Sequence, residues 1–121
     1  MGKNEKLVSY AQDILEGIDY IHDQNIVHAD IKLENVLMVS SPIPTEIDLV
    51  KVCDFGLSQE LDDSGKFTIK VKSGTIGYMA PEMREKATVG TAIDMWSYGI
   101  LLYEMAVAYK PTSVKNFKYG E

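Results

Sequence analysis

Residues 27–38, "VHADIKLENVLM", set a His, an Asp, a Lys and an Asn at fixed offsets between two short aliphatic runs. Taken singly, each has a plain structural explanation. His28 alone reads as a hydrogen-bonded core histidine, Asp30 and Asn35 as turn or cap residues, and Lys32 as a solvated charge. Together they are harder to dismiss, because four specified residues at set offsets meet by chance at a given position on the order of 1 in 10⁵. Ala29, between His28 and Asp30, adds no polar group of its own.

Upstream, Leu7, Ala11, Ile14, Ile18 and Ile21 recur at the 3–4 spacing of an amphipathic helix over residues 5–23, with Val8 and Leu15 beside the stripe. "NIV" (25–27), "NVLMV" (35–39) and "DLVKVCD" (48–54) are short β-rich runs. The Ser and Pro residues of "SSPIPTEI" (40–47) mark an exposed turn between the last two. Downstream, Asp54-Phe55-Gly56 follows a strand; alone it is a strand end with a Gly turn. Residues 58–74, "SQELDDSGKFTIKVKSG", are polar and non-periodic, which predicts one long loop. "GTIGYMAPE" (74–82) and "DMWSYG" (94–99) come next, and residues 91–108 read as a helix apolar nearly all round, hence buried inside a larger body.

Composition narrows the partners. The 121 residues are 45% hydrophobic and 25% charged, a globular balance. A net charge of −6 argues against nucleic acid and anionic membrane as partners. The twelve Lys and Arg residues include a single Arg, Arg84, so bidentate forks for phosphate are scarce. One cysteine, Cys53, allows no internal disulfide, and no apolar leader or bilayer-length run occurs. The expected location is the cytoplasm, with the nucleus as the alternative.

With these motifs in this order, the sequence resembles the C-terminal lobe of a protein kinase, of serine/threonine type and most similar to the calmodulin-dependent and calcium-dependent branch. The implied fold is mainly α with short β-hairpins, a partial kinase-like large lobe (α+β). The resemblance implies a catalytic loop at 28–35, a DFG motif at 54–56 and an activation segment at 54–82. It implies that Asp30 accepts or orients the substrate hydroxyl proton and that Lys32 neutralises the transferring phosphoryl of ATP. Asn35 and Asp54 match the Mg²⁺ ligands, hard oxygen donors suited to that cation. Thr75 matches a residue that bonds around the catalytic Asp and shapes the site for a Ser/Thr acceptor on a protein substrate. His28 and Phe55 match a stacked column, Gly56 the turn after it, and Asp94 a carboxylate that anchors the catalytic-loop backbone. Leu37 matches the residue beneath adenine, with Leu101 and Met105 continuing inward. Cys53 is expected to line the nucleotide pocket, as a small buried hydrophobe rather than a reactive thiol.

The sequence also departs from the family pattern. It holds no Gly-rich loop, no small-lobe Lys–Glu pair, and no last helices of the large lobe, where a partner Arg for Glu82 is expected. The Asp30-to-Asp54 interval is longer than usual. The expectation is therefore an incomplete serine/threonine kinase domain, inactive as this chain alone. The alternative is a non-catalytic remnant serving as a binding or regulatory module. Ala29 and Val71 stand where an Arg and a phosphorylatable residue are common, so control by activation-loop phosphorylation is not expected.

Overall fold

The stripe of residues 7–21 forms the expected helix. In the computed structural model, which describes residues 3–40, 42–43, 49–69, 75, 77–85 and 88–107, α1 runs Lys3–Asp23. Ile14 and Ile18 on its stripe are fully buried, while the flanking Val8 and Leu15 are exposed. Each such burial contributes about 1.5–3 kcal/mol. The helix stops because Asn25 takes the left-handed conformation (φ 63°) and donates its N–H to the His22 carbonyl at 2.9 Å. Asn tolerates that conformation better than other residues with a Cβ.

The chain then alternates short strands with turns. β1 (Ile26–Val27) leads into the polar loop, a 3₁₀ turn (Leu33–Asn35), β2 (Val36–Val39) and β3 (Leu49–Val52). β2 and β3 pair antiparallel, with Val36 opposite Val52 and Val39 opposite Leu49. β4 (Gln59–Glu60), β5 (Lys66–Thr68), α2 (Glu82–Glu85), β6 (Thr88–Gly90) and α3 (Ala92–Val107) follow. Residues 41, 44–48 and 108 lie outside the described residues, and so do most of "SSPIPTEI" and the last position of the expected helix.

Residues 58–74 are not one long loop. β4 pairs with β1 (Val27 opposite Gln59), and β5 pairs with β6 (Phe67 opposite Val89). Strands of two or three residues are too short to show a period of two, and their partners are remote in sequence. Between β4 and β5 the chain turns on Asp62. Its Oδ1 accepts hydrogen bonds from Ser64 N–H (2.9 Å), Ser64 Oγ (2.7 Å) and Lys66 N–H (3.0 Å). The Ser64 hydroxyl and then the Lys66 amide hold this exposed carboxyl below its usual range. Of the three pairs, only β2–β3 joins strands that are consecutive among the described elements, so "short hairpins" describes one pair.

Two apolar clusters hold these pieces. The first joins α1, α3 and the β2–β3 sheet through Ile14, Ile18, Ile31, Val50, Tyr98 and Leu101. The second gathers Val27, Leu61, Ala80, Met83, Val89 and Ile93 beneath the segment entering α3, and Trp96 packs against both. Tyr98 Oη donates to the Ala11 carbonyl at 2.7 Å, clamping α3 to α1. The outer flank of α3 remains apolar and open at Met95, Tyr103 and Val107, in keeping with a helix apolar nearly all round.

Gly90 marks where β6 and the β4–β5 turn approach most closely. A Cβ there would stand 2.7 Å from the Gly65 carbonyl oxygen, a backbone atom that cannot rotate away. Gly90→Ala is expected to destabilise the protein by about 1–3 kcal/mol. A urea midpoint unchanged from the parent would contradict this.

Candidate active site

Asp94, in the first turn of α3 and only 1% exposed, organises the loop after β1. Its Oδ2 accepts the His28 N–H and its Oδ1 the Ala29 N–H, both at 2.8 Å. A carboxylate at a helix N-terminus is favoured by the helix dipole. These bonds hold Ala29 at φ 67°, a left-handed conformation that costs a residue with a Cβ about 1–2 kcal/mol.

The His28 ring is fully buried and committed on both nitrogens. The Asp30 N–H can only donate, so Nδ1 accepts it (3.1 Å), and the ring proton therefore lies on Nε2, facing the Cys53 carbonyl at 2.9 Å. The ring also meets Phe55, with centroids 5.1 Å apart and planes tilted by 58°. His28 thus ties the loop carrying Asp30 to the strand end carrying Asp54. Asp54 itself has φ 62°, and its Oδ1 accepts the Gly56 N–H at 3.2 Å, closing the turn after the strand.

Four polar residues converge beside this tie. Lys32 Nζ donates to Thr75 Oγ1 at 2.8 Å and lies 3.8 Å from Asp30 Oδ2. Thr75 Oγ1 reaches Asp30 Oδ1 at 3.4 Å. Asn35 Nδ2 donates to the Asp30 carbonyl (2.8 Å) and to Asp30 Oδ2 (3.2 Å). With its nitrogen so used, the Asn35 amide oxygen is the atom left to act as a hard ligand, and the exposed Asp54 carboxylate is a second oxygen donor of the same kind. That donor set fits Mg²⁺. An acceptor carboxylate beside an ammonium suits deprotonation of a hydroxyl while negative charge builds nearby.

The remaining predicted residues are more dispersed. Cys53 is only partly buried, and its Sγ lies 3.4 Å from the Asn35 carbonyl. Leu37 is 55% exposed, while its strand neighbour Val36 and Val52 opposite pack against the core that holds Leu101 and Met105. Glu82 opens α2 with no ion pair among the described residues. Residues 70–74 and 76 of the expected activation segment lie outside the described residues, including Val71 and Ser73.

Sequence reasoning missed three contacts that hold the site. His22 Nε2 lies 2.8 Å from Asp94 Oδ2. Tyr78 Oη donates to Glu104 Oε1 at 2.7 Å, and Ser97 Oγ donates to the Tyr78 carbonyl at 2.6 Å, so the segment after Thr75 is fastened to α3. Burial, reinforced by the Glu104 carboxylate, pushes the Tyr78 phenol well above its usual range, so it stays a donor at neutral pH. A Glu within an apolar helix was the available signal, since a buried charge needs a partner.

The family model for the protein kinase domain matches residues 2–119. A calcium/calmodulin-dependent protein kinase type 1 of Macrobrachium nipponense is 41% identical over 105 residues, 87% of this chain and 29% of that protein. A calcium/calmodulin-dependent protein kinase of Metarhizium anisopliae is 36% identical over 107 residues, 88% of this chain and 27% of that protein. Mitogen-activated protein kinase kinase kinase 13-A of Xenopus laevis is 39% identical over 105 residues, 87% of this chain and 10% of that protein. The chain spans less than a third of each of these relatives.

Proposed function

This chain belongs to the protein kinase domain family, and on that premise we propose that it provides the catalytic loop, within a large lobe, of an ATP-dependent serine/threonine protein kinase. The observation that carries the reading is the cluster in which Lys32, Thr75 and Asn35 all meet Asp30, at 3.8, 3.4 and 2.8 Å. Asp30 would take the proton of a Ser or Thr hydroxyl on a protein substrate as that oxygen attacks the terminal phosphorus of ATP and the bond to the bridging oxygen breaks, releasing ADP. Lys32 offsets charge on the transferring group, and Thr75 holds the ammonium in place. Asn35 and Asp54 would hold Mg²⁺, which supplies neutralisation of the nucleotide phosphates. Leu37 and Cys53 would line the base side of the nucleotide, and Glu82 and Gly56 are architectural. A cytoplasmic location accords with the single cysteine.

The deciding measurement is transfer of labelled phosphate from ATP to Ser/Thr peptides. It is made on the protein with whatever residues flank these 121 in its gene. Transfer that requires Asp30 establishes the reading; Mg²⁺-ATP binding with no transfer favours a binding or regulatory module.

Ala29 gives a second expectation. With no guanidinium beside Asp30 and Val71 where a phosphate acceptor is common, turnover should not depend on a phosphorylated activation segment. Phosphatase treatment, or Thr68→Ala with Ser73→Ala, is expected to leave the rate within about twofold, roughly 0.4 kcal/mol. A tenfold fall would refute it.

A further inference from the structure

We infer that His22 is a positioning residue for the loop that carries Asp30, acting through Asp94. The contact sits at a junction of otherwise separate elements. His22 is in the last turn of α1, Asp94 in the first turn of α3, and the loop between β1 and the 3₁₀ turn lies across the carboxylate. Both histidine attachments are fixed. The His22 carbonyl accepts the Asn25 N–H that ends α1 (2.9 Å), and Nε2 lies 2.8 Å from Asp94 Oδ2. The His22 side chain is 16% exposed and that of Asp94 1%, so water competes weakly for this bond.

The Asp94 side chain has a demanding task. Its two oxygens must address successive N–H groups, those of His28 and Ala29, while Ala29 stays at φ 67°. The terminal torsion of an Asp side chain is broad and gives little resistance to rotation. A third donor on Oδ2 supplies the missing constraint. It fixes the carboxylate plane, the carboxylate fixes the backbone of His28 and Ala29, and the next residue is Asp30. Among the described residues, His22 makes no hydrogen bond to Asp30, Lys32, Asn35 or Thr75. Its role in catalysis rests on the function proposed above, but its role in loop geometry does not.

The test therefore reads the loop directly. Amide hydrogen exchange at His28 and Ala29 is compared in the parent protein, His22→Phe and His22→Gln, with the Val50 amide, bonded to Asp13, as the internal reference. The Gln amide nitrogen reaches the position of Nε2, whereas Phe offers no donor. His22→Phe is expected to speed exchange at His28 and Ala29 at least tenfold with Val50 within twofold. His22→Gln is expected to restore protection to within threefold. If His22→Phe does not fold, His22→Asn, whose shorter side chain cannot reach Oδ2, takes its place with the same expected outcome. Exchange at His28 and Ala29 within twofold of the parent in the variant lacking the donor would overturn the inference. So would equal acceleration at all amides in both variants, which marks a merely structural residue. Absence of phosphotransfer in the parent would sink the function and leave this result standing.

Discussion

Replacing Asp30 by asparagine is expected to lower kcat about 10²–10⁴-fold, the usual contribution of a positioned proton acceptor, with KM changed only a few-fold. The substitution is close to isosteric. Its amide oxygen still accepts from Asn35 Nδ2, which now lies 3.2 Å from Asp30 Oδ2, so the loop has little reason to move. What disappears is the carboxylate's basicity and its attraction for Lys32 Nζ, 3.8 Å away. Both matter most when a hydroxyl is losing its proton and charge is building on the phosphoryl group. The loss should therefore fall on turnover. Asp54→Asn should behave differently and weaken Mg²⁺-dependent ATP binding, because its carboxylate is proposed as a metal ligand and makes no hydrogen bond to Asp30 among the described residues. Steady-state kinetics on both variants, with circular dichroism to confirm the fold, separates the two roles. Small, equal effects on kcat and KM at both positions would remove Asp30 from the chemistry.

How much of this was legible in the sequence depended on range. α1 could be read because its stripe repeats from Leu7 to Ile21, through most of a 21-residue helix. β2 and β3 could be read because each run is four residues long and rich in valine and leucine. β4 and β5 could not, since two or three residues carry no pattern and their pairing partners lie elsewhere in the chain. The site divides the same way. Asp30, Lys32 and Asn35 fall within six positions of one another, so their meeting follows from a single turn. The Lys32–Thr75 bond spans 43 positions and the His22–Asp94 contact 72. Only the family resemblance pointed to Thr75, and nothing in the sequence singled out His22.

Tyr78→Phe is expected to cost about 1.5–3 kcal/mol of folding stability, the range for losing a hydrogen bond to a charged group. Glu104 is 1% exposed, its Oε1 accepts the Tyr78 hydroxyl at 2.7 Å, and its Oε2 has no hydrogen-bond partner among the described residues. Loss of the hydroxyl leaves Oε1 of that buried carboxylate without its donor as well. Glu104→Gln removes the charge and keeps an acceptor for Tyr78, so its cost should stay below about 1 kcal/mol. In Tyr78→Phe with Glu104→Leu no buried polar group is stranded, and most of the lost stability should return, because replacing both partners of a buried hydrogen bond by apolar groups of similar shape is often nearly neutral. Urea unfolding of Tyr78→Phe, Glu104→Leu and the double variant closes the cycle and gives the coupling directly, with Glu104→Gln as the control for charge. The same pair bears on the site, because Tyr78 N–H donates to the Thr75 carbonyl at 3.1 Å. Freeing Tyr78 from α3 should loosen the threonine that holds Lys32. Strictly additive costs across the three variants would show that Tyr78 and Glu104 do not act as a pair.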